Sequence, residues 1–292
     1  MVWLGPWLAC CLLLLPVRSF SAEVPAGGEA ELDAAVLCAA YPEAVLGLEY
    51  TPDQKPVLVL ANGQRLVYAT ARDKTAEAAL ENPDVKDMLE QVYPLGEAGL
   101  SPAPGFDPGR RRVTSFFKAL YGQDKEAVQA GGVAVPFLGR RLLFHGAHGA
   151  AAALNRVGER LAPLVRAHRA WRPTLFPMAG TFCWRPIAGT TRLSLHSFAV
   201  AVDFNGNLPY WRTFRGGARI AAERRAFPAE VVAAFEAEGF IWGGKWAAFD
   251  LMHFEYRPEL ILKSRVLAGL TPCPPLPVLG PEEGRPGPAA TP

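Results

Sequence analysis

Two short stretches of the sequence bring together side chains that can bind a metal ion. In the first, TRLSLHSFAVAVDFNG, His196 and Asp203 stand seven positions apart around small and β-branched residues. In the second, GFIWGGKWAAFDLMHFEYRPE, Asp250, His253 and Glu255 fall within six positions. Two histidines and a carboxylate form a common catalytic zinc shell, which leaves a fourth position for water. The two stretches together therefore predict a zinc site.

The residues after His196 predict the strand that carries the carboxylate. Over residues 198–204, bulky side chains alternate with two alanines and Asp203, and a period of two is typical of a strand. The alanines leave space beside Asp203, while His196 must lie before the strand, in a turn that brings it round to the carboxylate. We expect His253 and Glu255 to share one face of a second short strand.

The acidic residues also have structural interpretations. Asp203 could cap a turn with Asn205 and Gly206, and Glu255 could be a solvated strand residue. The sequence contains no His-Glu-x-x-His, so the helical zinc-peptidase arrangement is excluded.

The rest of the chain mixes helices with short strands. A hairpin is predicted to turn at Asn62-Gly63 within PVLVLANGQRLVYA, and a helix in PAEVVAAFEAEG is closed by Gly239. Further helices are predicted in EAELDAAVLCAAY, in TAEAALENPDVKDMLEQVY with a break near Pro83, and in AHGAAAALNRVGERLAPLVRAHRAW. Without regular βαβ alternation, this pattern favours an α+β fold.

Composition changes mark the predicted division of the chain. The apolar residues 1–22 resemble a secretory signal, which would make the protein periplasmic or extracellular. An uncleaved membrane anchor is the alternative, since no lysine or arginine precedes Arg18. We expect an N-terminal extension over 23–130, the zinc-binding core over 131–270, and a disordered tail rich in proline over 271–292.

Charge and cysteine content limit the partners and the cross-links. Thirty basic and 28 acidic residues give a formal net charge of +2, too small and dispersed for nucleic-acid binding. Cys38, Cys183 and Cys273 remain after the signal, without Cys-x-x-Cys spacing. Three buried free cysteines are expected, with one disulfide plus a free thiol as the alternative.

At the metal-binding stretches the sequence resembles the zinc D-Ala-D-Ala carboxypeptidase and L-alanyl-D-glutamate peptidase family. The family pattern is Ser-x-His-x-x-Gly-x-Ala-x-Asp, followed by a carboxylate-x-x-His. Ser194, His196 and Asp203 match the first part, and Asp250 and His253 match the second. WGGKW and FCWRPIAGTTRLS also resemble family segments, and the best agreement covers residues from about 181 to 258.

The resemblance implies a fold and a set of roles. The fold would be a small central antiparallel sheet with flanking helices and the zinc on the sheet, as in Hedgehog and D-Ala-D-Ala peptidase domains. Zinc would be held by His196, Asp203 and His253, with Asp250 as general base. Arg185 would stabilise the oxyanion or hold a substrate carboxylate.

Two supporting residues and one departure complete the prediction. Ser194 would orient the site rather than act as a nucleophile, and Glu255 would be a partner of His253 or a second candidate base. Ala199 stands where the family motif has glycine; its methyl group would strain a backbone with positive φ, whereas a strand would tolerate it.

The predicted activity is hydrolysis of a peptidoglycan stem peptide next to a D-amino acid, at the D-Ala-D-Ala bond. Hydrolysis of the L-Ala-D-Glu bond is one alternative. A zinc-stabilised module that binds the wall peptide without cleaving it is another, motivated by Ala199. A secreted structural domain without metal is a weaker alternative.

Overall fold

The computed structural model describes residues 28–71, 74–97, 100–214 and 217–279. The predicted signal over 1–22 and residues 280–292 of the predicted tail lie outside the described part. The described helices are α1 Glu29–Ala40, α2 Ala76–Glu81, α3 Val85–Glu90, α4 Thr114–Tyr121, α5 Lys125–Ala130, α6 Ala150–Ala167, α7 Arg172–Leu175, α8 Ile220–Ala226, α9 Ala229–Ala237 and α10 Pro258–Leu267. The described strands are β1 Val45–Tyr50, β2 Pro56–Leu60, β3 Arg65–Val67, β4 Gly132–Phe137, β5 Arg140–His145, β6 Met178–Gly180, β7 Ala201–Asn205, β8 Phe240–Trp242 and β9 His253–Tyr256.

The strands form three antiparallel sheets in the described residues. The first has the order β1-β2-β3, the second is the β4-β5 hairpin, and the third has the order β6-β7-β9-β8. Helices cover the sheets without βαβ units, so the predicted α+β fold with a small central antiparallel sheet is confirmed. None of the described helices is long and apolar enough to span a membrane.

The sheet β6-β7-β9-β8 has one apolar face, which packs on α9. Val202, Phe204 and Phe254 are completely buried. The rings of Phe235 in α9 and Phe254 are stacked with centroids 4.1 Å apart, and Phe204 meets Phe235 edge-on at 5.7 Å. Strand residues alternate between the two faces, so this packing directs Asp203 to the opposite face.

The core is continuous from the N-terminal to the C-terminal part of the described chain. One cluster of buried apolar side chains includes Leu32 in α1, Phe116 in α4, Leu154 in α6 and Val266 in α10. The predicted extension over residues up to 130 thus contributes to the same core as the residues that follow. The boundary at 130/131 stays a prediction.

The sequence identified several elements correctly. Helix α1, the break between α2 and α3 around Pro83, and helix α6 are confirmed. The β2-β3 hairpin turns at Asn62-Gly63, and Gly239 follows α9 with a φ of 88°. The β4-β5 hairpin was missed because its turn at Leu138-Gly139 lacks the usual asparagine, although both residues have the positive φ of a type I′ turn.

The strand expected over residues 198–204 begins later than the alternation suggested. Residues Leu195–Phe198 form a 3₁₀ turn, and β7 starts at Ala201. The turn begins where the Ser194 hydroxyl accepts a hydrogen bond from the backbone N–H of His196 at 3.4 Å. It ends at Ala199, which has φ 54° and ψ 38°. The prediction that Ala199 lies in a strand is wrong, because the chain must reverse there before β7.

The three cysteines of the described residues are free, as expected. Cys38 is buried in α1, whereas Cys183 is exposed and Cys273 is half-buried. The expectation that all three are buried is therefore wrong for two of them, which lie in surface loops.

Candidate metal centre and cleft

Three side chains converge on the open face of the sheet β6-β7-β9-β8. Asp203 in β7 and His253 in β9 are directly opposed in the antiparallel register, and His196 reaches them from the preceding turn. His196 Nε2 lies 3.0 Å from Asp203 Oδ2, and His253 Nδ1 lies 2.7 Å from Asp203 Oδ1. The two imidazole nitrogens are 3.3 Å apart. One donor atom from each side chain falls within 4.8 Å of the others, so the three could hold a metal ion.

The remaining ring nitrogens show that these histidines fit a metal. His196 Nδ1 donates to the backbone carbonyl of Thr181 at 2.6 Å, and His253 Nε2 donates to Glu255 Oε1 at 2.8 Å. These acceptors hold one proton on each outer nitrogen, so the inner nitrogens, which face each other and Asp203, are the ones that can donate a lone pair to a metal. Metal-binding histidines are held in this way by a carbonyl or carboxylate. The donor set suits zinc.

The pKa values of Asp203 and His253 show that positive charge is favoured between these side chains. Burial raises the pKa of Asp203, but His196 and His253 outweigh it and hold the pKa well below its usual range. Burial lowers the pKa of His253, but Asp203 and Glu255 overcome this and raise it to about 10. A proton on His253 and a bound cation therefore compete for the same place beside Asp203.

Glu255 anchors His253 from behind. Its side chain is completely buried, which rules out a solvated strand residue. Arg112 forms an ion pair with Glu255 Oε1, and Arg257 Nη1 lies 3.8 Å from Glu255 Oε2. Burial raises the pKa of Glu255, but Arg112 and His253 dominate and lower it to about 2. Glu255 is thus an ionised acceptor fixed between arginines and a candidate ligand.

Asp250 lies in the loop before β9 and faces the cleft. Its backbone is held by a bridge to Tyr210 and by donation to the Gly243 carbonyl at 3.0 Å. Its Oδ1 is buried and makes no hydrogen bond to the described residues. Burial raises the pKa of Asp250 to about 6, against the lowering effect of His253. An acid of this kind can exchange a proton near neutral pH.

Ser194 and Arg185 flank the turn that carries His196. The Ser194 hydroxyl accepts a hydrogen bond from the backbone N–H of His196. The backbone N–H of Ser194 donates to the Arg185 carbonyl at 3.2 Å. Ser197, which the sequence reasoning missed, is fully buried and accepts from the Arg185 N–H at 3.0 Å. These bonds fix the Arg185 backbone to the turn, and the exposed side chain lines the cleft.

A cleft of about 360 Å³ opens over the three convergent side chains. The site residues Arg185, Ser194, His196, Asp203, Asp250 and His253 line it. The sequence reasoning missed the other polar and aromatic lining residues, which are Arg110, Arg112, Tyr210, Trp211, Arg212 and Trp246. The run GRRR at residues 109–112 was the available signal, but nothing in the sequence showed that two of its arginines reach a site formed some 85 to 145 residues later.

Ala199 occupies the left-handed region of backbone conformation at the end of the His196 turn. Its φ of 54° is one that glycine adopts freely and alanine adopts at a cost of about 1–2 kcal/mol. Its carbonyl accepts from the His145 N–H at 2.8 Å, and its side chain is completely buried. The motif glycine thus has a conformational explanation, and this chain carries alanine in the same conformation.

The small antiparallel sheet carries the His-Asp-His set on its open face, beside Asp250, whose Oδ1 makes no hydrogen bond within the described part of the chain. Together these features define a peptidase-like α+β domain with a candidate metal centre. Residues 188–256 match the model of a family described as D-alanyl-D-alanine carboxypeptidase, and this part of the chain is a domain of that family. The matched segment contains His196, Asp203, Asp250, His253 and Glu255. Comparison with curated proteins and with solved structures gave no match.

Proposed function

We propose that the protein is an exported, zinc-dependent peptidase that hydrolyses a peptidoglycan stem peptide at the D-Ala-D-Ala bond. The observation that carries the proposal is the convergence of His196, Asp203 and His253 within a segment that matches the carboxypeptidase family. Export is proposed from the apolar residues 1–22. The assignment of zinc rests on the two imidazoles and one carboxylate.

The proposed reaction divides the work among residues of the cleft. Zinc, when bound by His196, Asp203 and His253, supplies a Lewis acid for the scissile carbonyl and for the attacking water. Asp250 takes the proton from that water and delivers it to the leaving amine, so the peptide bond is replaced by a carboxylate and a free amine. Arg185 offers its guanidinium to the negative charge that develops on the carbonyl oxygen.

Ser194 and Glu255 orient the two histidines of the candidate metal centre. Ser194 holds the turn that presents His196, and Glu255 fixes the ring of His253 from the side away from the cleft. Each acts through a histidine, Ser194 on the backbone of His196 and Glu255 on the outer ring nitrogen of His253. We therefore assign them to positioning rather than to proton transfer.

Metal binding is tested by replacing the two histidines. We expect His196→Ala and His253→Ala to reduce bound zinc from one ion per chain to a small fraction, measured by elemental analysis after dialysis. His168→Ala is the matched control, because His168 is exposed and stacks on Trp171 away from the cleft. Unchanged zinc content in both cleft variants would end the proposal.

Hydrolysis is tested separately on isolated muropeptides. Mass spectrometry after incubation with the zinc-loaded protein should show loss of one terminal D-alanine. Cleavage between L-alanine and D-glutamate would instead assign the protein as an endopeptidase with the same centre.

A second candidate function is a zinc-stabilised module that binds stem peptides without cleaving them. It is favoured by one observation, the alanine at 199 in a conformation that suits glycine. The two candidates differ in their response to Ala199→Gly. If the parent binds stem peptides without hydrolysis and Ala199→Gly hydrolyses them, the binding module is the correct description of this chain.

A further inference from the structure

The segment 106–112 lies outside the matched family region yet forms one wall of the cleft. Asp107 Oδ1 accepts from the Ala248 N–H at 2.8 Å, and the Pro108 carbonyl accepts from Trp246 Nε1 at 2.7 Å. These bonds join the segment to the loop that precedes Asp250 over a sequence separation of 138 to 141 residues. The segment is therefore fixed relative to the candidate metal centre.

Three consecutive arginines in this segment differ in how their charges are neutralised. Arg111 forms an ion pair with Glu90, and Arg112 forms one with Glu255. Arg110 has no carboxylate within ion-pair distance among the described residues. Its Nη1 donates only to the Ala248 carbonyl, at 3.2 Å. Of the three, Arg110 alone brings an unneutralised guanidinium to the cleft.

Arg110 is also held in place without an anion. Its guanidinium lies over the rings of Trp211 and Trp246, at 5.9 and 5.6 Å from their centroids. Desolvation by burial lowers the pKa of Arg110, more than the nearby acid Asp107 raises it. A cation that has lost water without gaining an ion-pair partner gains most from binding an anion. The two indoles keep its remaining donors in a fixed direction.

We propose that Arg110 binds a carboxylate of the substrate and selects peptides that carry this charge. The proposal rests on the peptidase function proposed above and adds a determinant of specificity from outside the matched domain. A carboxylate fits because the planar fork of guanidinium donors matches its two oxygens. Arg185, on the turn that carries His196, serves the reacting carbonyl, so Arg110 serves a different group.

Two carboxylates of a stem peptide have the required chemistry, and three synthetic peptides distinguish them. The parent is L-Ala-γ-D-Glu-L-Lys-D-Ala-D-Ala. The second peptide has a terminal carboxamide, and the third has a carboxamide in place of the α-carboxylate of D-glutamate. Dissociation constants are measured by titration calorimetry on the full chain after removal of metal, so that no peptide is cut.

We expect the unmodified protein to bind the parent peptide at least about tenfold more tightly than one of the two amide peptides. The complex with that amide lacks the hydrogen-bonded charge pair between Arg110 and the carboxylate. Arg110→Gln should reduce that preference to within about twofold. Arg111→Gln is the matched control and should retain it, because Arg111 is paired with Glu90. Should Arg110→Gln fail to fold, Arg110→Met keeps the apolar stem between the indoles and carries the same expectation.

Two results would overturn the proposal. One is an equal affinity of the unmodified protein for all three peptides, and the other is a preference that survives in Arg110→Gln. Release of D-alanine by the zinc-loaded protein tests the peptidase function separately. Hydrolysis without a carboxylate preference rejects the role of Arg110 alone. A preference without hydrolysis supports Arg110 and rejects the peptidase.

Discussion

Asp250 differs from the other carboxylates around the candidate metal centre in having a buried oxygen that makes neither a hydrogen bond nor an ion pair to the described residues. Asp203 is shared by two histidines, and Glu255 is held by Arg112 and His253. Asp250 Oδ1 has no such partner in the described residues. A carboxylate that neither binds strongly to a neighbour nor faces bulk water is free to accept a proton. This difference favours Asp250 as the base and Asp203 as the ligand.

We predict that Asp250→Asn keeps zinc and the fold but lowers the hydrolysis rate by about 10²–10⁴, the usual contribution of a general base. Zinc content and the thermal unfolding midpoint would stay close to those of the parent. The measurement is kcat/KM for D-alanine release, with zinc quantified in the same preparation. A variant that loses zinc as well would make Asp250 a ligand and contradict its assignment as base.

The pH dependence of the same reaction follows from the raised pKa of Asp250. The base must be ionised to accept a proton, so activity should be retained above pH 6 and fall as the pH drops through about 6. Bound zinc would favour the ionised form and move this midpoint lower. We therefore expect an ascending limb of kcat/KM centred at or below pH 6, and its persistence in Asp250→Asn would assign it to another group.

Ala199 gives a prediction about stability at the same scale. Ala199→Gly relieves about 1–2 kcal/mol of left-handed strain in the folded protein. It also increases the conformational entropy of the unfolded chain, which costs about 0.5–1 kcal/mol of stability. It also removes a buried methyl group worth about 0.8 kcal/mol. These effects nearly cancel, so the free energy of unfolding should change by less than about 1 kcal/mol.

Ala199→Val is the contrasting variant. A β-branched residue at positive φ, in a position with no exposed surface, should cost more than about 2 kcal/mol through strain and overpacking. Urea denaturation of both variants checks the pair of expectations. A valine variant as stable as the parent would show that the turn can adopt an extended conformation.

At the scale of elements, strand β9 depends on a residue far away in sequence. Arg112 and Glu255 are 143 positions apart, and both are buried. Glu255 in turn fixes the ring of His253 two residues earlier on the same face. Glu255→Gln is therefore expected to harm both folding and metal binding. This effect is larger than the role of Glu255 as a second candidate base would imply. Removing one partner of a buried ion pair typically costs about 3–5 kcal/mol.

We predict that Arg112→Met destabilises the protein by several kcal/mol, on the order of 3–5, and weakens zinc binding by about tenfold to a hundredfold. Arg111→Met is the control, since its more exposed pair with Glu90 should be worth less than about 1 kcal/mol. Zinc affinity is measured by competition with a chelator. Arg112→Lys should recover part of the affinity. An Arg112→Met protein with normal zinc affinity would mean that His253 needs no such support.

The sequence predicted the parts of the site that are local in the chain. The position of His196 before the alternating residues 198–204 was sufficient to expect a turn and the strand of Asp203. The spacing of His253 and Glu255 was sufficient to expect a second strand. The start of β7 was misplaced because the alternation of bulky and small residues does not show that Ala199 adopts a left-handed conformation at the end of a turn. The pairing of Arg112 with Glu255 is decided by tertiary packing, and a run of three arginines looks the same whether it is solvated or buried.

At the scale of the whole molecule, buried polar contacts join the predicted extension to the predicted core. Asp33 Oδ1 in α1 lies 2.6 Å from Lys263 Nζ in α10, and the Tyr41 hydroxyl donates to Glu259 Oε2 at 2.6 Å. Asp33 and Glu259 are completely buried. Helices α1 and α10 pack against each other in the shared apolar core. Removal of residues 28–41 would leave Lys263 without its carboxylate partner and Glu259 with Arg257 but without the Tyr41 hydroxyl.

We therefore predict that residues 131–270 do not fold alone, although they contain every proposed zinc ligand. The fragment would lose the carboxylate partner of Lys263, the ion pair of Arg112 with Glu255 and the wall of the cleft formed by the segment 106–112. Each uncompensated buried charge costs about 3–5 kcal/mol, and a domain has only about 5–15 kcal/mol of total stability. Thermal unfolding followed by circular dichroism, together with zinc content, compares this fragment with residues 28–279. The longer fragment should unfold cooperatively and bind zinc, and the shorter one should do neither. Cooperative unfolding and zinc binding by residues 131–270 would instead support a domain boundary at 130/131 and make the N-terminal part a separable cover for the cleft.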